Sequence, residues 1–304
     1  MRIGISVSSH HRVTDVRLGA RNMIERVQKA HQANLHSLFV GDHHVTREPY
    51  YQNSPILGRL LAEWPDKPCG ALYLLPLWNP VLLAEQIATL STLTNNRFIM
   101  QCGLGGDVRQ AQGMGTRLDQ RVGMFESALT LMQAVWRGET VSENRYWQIK
   151  DATISPLPPE PIDVWVGSIA PAAIHRTARL AEGWLASPGL PPDQARDSLN
   201  RYRQACAEHD RTPSACAIRR DIFIGESTEH AQKVVSSYIE RGYRGMDPQA
   251  LMYGGVEQVV EKVIALQEMG YTDVIVRNIS ADQNEALATI ERTGEVIAAL
   301  EAAR

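Results

Sequence analysis

Cysteine is scarce in this chain and forms no pattern. Cys69, Cys102, Cys206 and Cys216 include no CxxC pair and no regular spacing. Neither a disulfide framework nor a thiolate metal site is implied, and buried thiols in a reducing compartment are expected. Long runs of Lys or Arg are also missing, and the formal net charge of -3 is close to balance. Nucleic acid and anionic membrane are therefore not implied as partners. No segment has the apolar length of a membrane span. The N-terminus, Met1-Arg2-Ile3-Gly4-Ile5, enters strand-like alternation without the apolar core of a signal peptide, so a cytoplasmic location is expected. Short-period repeats and low-complexity tracts are absent as well.

What is present is enough hydrophobic residue, 44% of 304, for a sizeable core. That length suits two domains or one large α/β barrel. Arg2 to Val7 alternates as a strand, Thr14 to Asn34 has helical spacing, and His36 to Val40 returns to a strand. Such a β-α-β unit implies parallel strands with a right-handed crossover. The pattern continues through strands at Cys69 to Leu75, Arg97 to Cys102, Asp163 to Gly167, Gly183 to Ala186, Ala217 to Ile224 and Asp273 to Arg277. Helices fall between them, including Pro80 to Leu93, entered through Asn79-Pro80 with proline at the first helical position.

Eight strands each followed by a helix predict an α/β protein with a (β/α)8 TIM barrel, one domain over 1–304, with insertions after strands 4 and 7. A doubly wound open sheet is the alternative. The segment Gly225 to Gly255, rich in glycine and carrying Tyr238, Tyr243, Met246 and Tyr253, breaks the rhythm. It is expected to cap the catalytic face or to mediate self-association.

The chemistry gathers after the strands. Leu38-Phe39-Val40-Gly41 ends in Asp42-His43-His44. These could be metal ligands, or one histidine could serve as acid/base beside an organic cofactor. Adjacent residues in extended chain face opposite ways, so His43 and His44 share an ion only if the chain turns. Beyond them only Asp107 is well placed as a further ligand, and histidines that merely bond backbone at a strand end are a third reading. In a barrel, Asp42, Gly70 to Tyr73, Gly103 to Asp107, Gly167, Ser168, Ser187, Gly189, Arg277 and Asn278 share one face. Glycines and hydroxyls outnumber metal ligands there, which suits a large planar ligand carrying a phosphate. Gly103-Leu104-Gly105-Gly106 fails as a GxGxxG fingerprint, because Val108 stands where the third glycine belongs. Gly167-Ser168-Ile169-Ala170-Pro171 follows a strand and opens a helix, so it is either an anion site or an ordinary turn.

These residues resemble the bacterial luciferase-like superfamily of flavin-dependent and deazaflavin-dependent oxidoreductases. The resemblance rests on Ser37 to His44, Leu75 to Gln86 running through Leu90 to Phe98, Trp165 to Ser168, Ala178 to Trp184, and Gly255 to Glu261 with Met269-Gly270-Tyr271. The pieces are in order and span nearly the whole chain. The resemblance implies a flavin-type ring over the C-terminal mouth of a (β/α)8 barrel, with His43 as acid/base and Asp42 touching the cofactor. It implies a non-prolyl cis peptide near Gly70-Ala71 behind the ring, a glycine loop at Gly103, Gly105 and Gly106, and a phosphate held at Gly167-Ser168 and Ser187 to Gly189. Some deazaflavin relatives carry a catalytic Glu directly after the glycines, where this chain has Gly106, which departs from the sugar-phosphate dehydrogenase branch. Some luciferase-type members carry an Arg near this loop for the flavin phosphate, and the nearest here is Arg109.

The activity implied is that of a monooxygenase taking reduced FMN, delivered by a separate flavin reductase, with O2 and a small organic substrate. The alternative is hydride transfer with the deazaflavin coenzyme F420. A flavin-binding barrel without catalysis is the reading from another class. A homo-oligomer such as a dimer is expected, and no metal is assigned.

Overall fold

Strands that are buried at successive positions, rather than at alternate ones, have both faces covered. Leu38–Val40, Phe98–Gly103 and the first four residues of Asp163–Gly167 are of this kind, with every residue buried. A computed structural model, describing residues 1–303, shows what covers them. The elements in chain order are β1 (Arg2–Val7), α1 (Val16–Gln32), β2 (Leu38–Val40), α2 (Asn53–Leu60), β3 (Cys69–Leu74), α3 (Pro80–Ser91) and β4 (Phe98–Gly103). There follow α4 (Val108–Gly113), α5 (Arg121–Trp136), β5 (Val141–Glu143), β6 (Ile149–Ala152), β7 (Asp163–Gly167), α6 (Pro171–Leu180), β8 (Gly183–Ala186) and α7 (Pro192–Glu208). The last are β9 (Ala215–Ile224), α8 (Thr228–Glu240), β10 (Met252–Gly254), α9 (Val256–Met269), β11 (Asp273–Asn278) and α10 (Gln283–Ala302).

One sheet has the order β10-β9-β11-β1-β2-β3-β4-β7-β8, and β8 also pairs with β9. Eight parallel strands thereby close a (β/α)8 barrel, with β10 an extra strand on β9. The chain divides into two compact units, the first made of Met1–Ser8, Arg21–Phe39 and the chain from Trp165 onward, the second of Ser9–Ala20 and Val40–Val164.

In the first unit the long β9 organises the sheet. Its Ala217–Ile222 stretch pairs with β11. On its other edge Ala215–Ile218 pairs with β8 and Ile222–Ile224 with β10. Trp184 of β8 stacks between Tyr202 of α7 and Tyr271, with ring centroids 5.1 and 6.2 Å away. The segment between β9 and β11 has its own apolar core of Phe223, Ala231, Val235, Leu251 and Ile279, against which Tyr238, Tyr243, Met246 and Tyr253 pack.

In the second unit β3 and β4 run in unbroken register from Cys69↔Phe98 to Leu74↔Gly103. The pair approaches so closely at Gly70 that a β-carbon there would stand 1.8 Å from the Ile99 carbonyl oxygen. The Gly70–Ala71 bond lies inside this regular ladder and is trans, which corrects the expected cis link; among the described residues the cis peptide is Ser155–Pro156. α3 starts as Asn79-Pro80 predicts, with Asn79 Oδ1 accepting from the amides of Val81 and Leu82 at 3.0 and 3.1 Å. Trp136 of α5 ties back to α3 by donating to the Ala84 carbonyl. Among the described residues no helix is long and apolar enough to cross a membrane.

Candidate active site

Asp42, just past the end of β2, is the anchor of the second unit's candidate site. Its side chain is fully buried. An ionised carboxylate in that position needs donors, and the end of β3 with the turn after it supplies them. Oδ2 accepts from the Leu74 amide at 2.7 Å and from Trp78 Nε1 at 3.0 Å. Oδ1 lies 3.0 Å from His44 Nε2 without the angles of a hydrogen bond, so both atoms are held close yet remain unsatisfied.

The two histidines take opposite environments. His44 is buried, with Trp78 edge-on at 5.3 Å and its amide donating to Gln110 Oε1 at 2.9 Å. Gln110 is itself placed by Asp107, whose Oδ1 accepts the Gln110 amide and caps α4. His43 is exposed. Its ring packs against Tyr50 at 5.7 Å and makes no hydrogen bond, while its carbonyl accepts from Gln52. Immediately after them Val45 holds φ 55, a left-handed conformation rare for a β-branched residue, with its side chain packed against Gly113. Such strain persists only where the surroundings enforce it.

Behind this turn, Tyr73 stands edge-on to Trp78 at 5.6 Å and shares a hydrogen bond with Ser54. Burial pushes the Tyr73 phenol well above its ordinary pKa, which keeps it neutral. Leu74 also links Asp42 to the glycine loop after β4, because its side chain lies beside the positions that β-carbons at Gly103 and Gly105 would take. Gly105 has φ 66, and Gly106 faces open space, with no atom within 4 Å of the point where a β-carbon would stand. Asp42, His44, Gly103 and Gly105 are thus brought together around Leu74, whereas Gly70 and Ala71 sit deep in β3. Among the described residues no three His, Cys, Asp or Glu side chains gather as a metal-binding set.

In the first unit, Gly167 is exposed at the end of β7, but Ser168 is buried and occupied. Its hydroxyl meets Thr177 Oγ1 at 3.0 Å and its carbonyl accepts from Trp184 Nε1 at 3.1 Å. Only backbone around Gly167 remains for an anion there. Ser187 and Gly189 are half-buried on the loop after β8, which Arg220 fastens by donating to the Pro188 carbonyl. Sequence reasoning passed over Arg219 and Asp221 in β9; the signal was a charged triplet inside an otherwise apolar strand.

Residues 1–254 match the family described as luciferase-like monooxygenase. The chain is 23% identical to the F420-dependent glucose-6-phosphate dehydrogenase of Beutenbergia cavernae, over 98% of this chain and 96% of that one. Among solved structures, monooxygenase RslO1 from Streptomyces bottropensis superposes with a TM-score of 0.87 at 15% identity, covering 99% of this chain and 100% of its own. The oxygenating constituent of 3,6-diketocamphane monooxygenase from Pseudomonas putida, in complex with FMN, does so with a TM-score of 0.80 at 17% identity, covering 98% of both chains.

Proposed function

Because this chain belongs to the luciferase-like monooxygenase family, and is an oxidoreductase of that class with a flavin-type or F420 cofactor, we propose that it oxidises a small organic substrate with reduced FMN and O2. The observation that carries this reading is the strand-end scaffold of Asp42, Leu74 and Trp78 beside an open glycine loop. The residues present fit a planar ring. Gly106 leaves its backbone uncovered, and buried Asp42 Oδ1 and His44 Nε2 have hydrogen-bonding capacity to spare.

Bound reduced FMN would supply two electrons to O2, and the protein's contribution is position and proton control. Asp42 fixes the Leu74 amide and the Trp78 indole, so the end of β3 presents a fixed backbone edge. Gly103, Gly105 and Gly106 let main chain approach the ring closely. His43, with both ring nitrogens free of hydrogen bonds, holds or donates the proton. A separate reductase is the source of the reduced flavin in this reading. A second reading, hydride transfer with the deazaflavin, is favoured by the relative, matched over 96% of its length, whose name makes it F420-dependent; Gly106 in the place of a catalytic Glu counts only against the sugar-phosphate dehydrogenase branch of that reading.

Titration of the purified protein with oxidised and reduced FMN and with the deazaflavin, followed by O2 uptake with the tighter binder, tests this. Binding of reduced FMN with O2 consumption is the expected result. Tighter deazaflavin binding without O2 uptake would replace it with the second reading. If neither binds below about 100 μM, equivalent to roughly -5.5 kcal/mol, the cofactor assignment fails. His43→Asn is expected to lower turnover by about 10²- to 10⁴-fold with cofactor affinity retained; unchanged turnover would remove His43 from the chemistry.

A further inference from the structure

β9 carries Arg219-Arg220-Asp221 in an otherwise apolar strand. Alternation sends Arg220 to one face, where it holds the Pro188 carbonyl, and Arg219 and Asp221 to the other. Asp221 is fully buried, and the parallel register sets it beside Arg277 of β11. Its Oδ2 accepts from Tyr243 Oη at 2.8 Å, Arg244 Nη1 at 2.8 Å and Arg277 Nη1 at 3.4 Å. Arg219 Nε stands 3.5 Å from Oδ1. Arg277 donates in addition to Ser8 Oγ at 3.2 Å.

Three guanidiniums therefore share one carboxylate, and two positive charges are left over. Gathered like charges disfavour one another's charged forms unless opposite charge offsets them, and one carboxylate offsets only one of the three. The Arg219 guanidinium forms no hydrogen bond although it is largely buried, and its Nε is an unsatisfied buried donor. Burial lowers its pKa to about 10; Asp221 opposes that fall, and Arg244 and Arg277 add to it. The cluster is nonetheless reachable, because the Arg244 and Arg277 side chains are 41% and 22% exposed.

Arg244 sits at φ 51 between Gly242 at φ 69 and Gly245 at φ 64. A side chain in the left-handed region costs conformational energy, and here the Asp221 pair holds it in place. The guanidinium N–H groups not spent on Asp221 and Ser8 are suited to a carboxylate or phosphate, whose oxygens take paired N–H donors.

We propose that Arg219, Arg244 and Arg277, aligned by Asp221, bind the anionic group, a carboxylate or phosphate, of the substrate. The assignment rests on the oxidoreductase reading for the word substrate, but the site itself is testable without turnover. Calorimetric titration with inorganic phosphate and with succinate, each against chloride at matched ionic strength, is the direct measurement. At least one of the two should bind in the millimolar range or tighter. Arg244→Gln and Arg277→Gln should each weaken it about tenfold or more, with affinity for FMN and the deazaflavin unchanged within about twofold. Arg244→Gly removes the same guanidinium while relieving the left-handed backbone strain, so it tests anion loss with that strain removed. Binding no better than chloride, or variants that bind as the wild type does, would overturn the assignment. Parallel loss of cofactor affinity would overturn it too, by giving the arginines to the cofactor's phosphate. A wild-type protein that binds the anion but neither cofactor would overturn the cofactor assignment instead.

Discussion

Asp42 shows how one residue can organise several elements. Its carboxylate receives the Leu74 amide and the Trp78 indole, and the next residues turn sharply enough to leave Val45 in a left-handed conformation. Asp42→Ala would strip two half-buried donors of their acceptor. Each unsatisfied group costs about 1–3 kcal/mol, so urea unfolding should show a loss of roughly 2–6 kcal/mol. A loss within experimental error would mean that water replaces the carboxylate. The Asp42-His43-His44 motif was legible from the sequence as a place where chemistry is delivered. Which imidazole is buried was not, because that depends on Trp78 and Gln110, which lie 34 and 66 positions from His44 along the chain.

At the scale of elements, local chemistry was the better guide. Asn79-Pro80 announced α3, and the cap is present. Asn79→Ala should lower stability by about 1 kcal/mol, read from thermal or urea unfolding; no change would show that Pro80 alone sets the helix start. The elements that escaped were short and polar. α4 (Val108–Gly113) has no apolar period and is held by its Asp107 cap. The hairpin of β5 and β6 is held at its turn by Glu143, whose carboxylate accepts the amides of Arg145, Tyr146 and Trp147. β10 has three residues and forms only because β9 offers an edge.

The β9–β11 pair also carries a pH dependence. Burial pushes the Asp221 carboxyl up, but Arg219, Arg277, Arg244 and the Tyr243 hydroxyl together hold it below its ordinary value of 3.8. A depressed folded-state pKa contributes stability that is complete above the unfolded value and lost as pH falls through the folded one. Stability should therefore drop below about pH 4, and Asp221→Asn should flatten that drop. An identical acid limb in the variant would contradict it.

For the molecule as a whole, the thiols give a simple measure of closure. Cys69, Cys102, Cys206 and Cys216 are all buried and none is in a disulfide, and burial raises the Cys69 thiol to about 12. Only thiolate reacts readily. All four should resist a thiol reagent at neutral pH in the native protein and react together on unfolding. Rapid labelling of any one in the native state would mark a local opening.

The sequence by itself determined the eight-strand alternation and the places where glycines and charges end those strands. Those signals are local: apolar period, proline, caps and turn residues act within a few positions. Only the tertiary structure decided that β8 returns to β9, that Gly70 serves a close strand approach with a trans peptide, and that Ser168 is spent on Thr177. It alone also brought Arg219, Arg244 and Arg277 onto one carboxylate. Those outcomes depend on register and on contacts between distant segments, where the identity of a residue says little until its neighbour across the sheet is known.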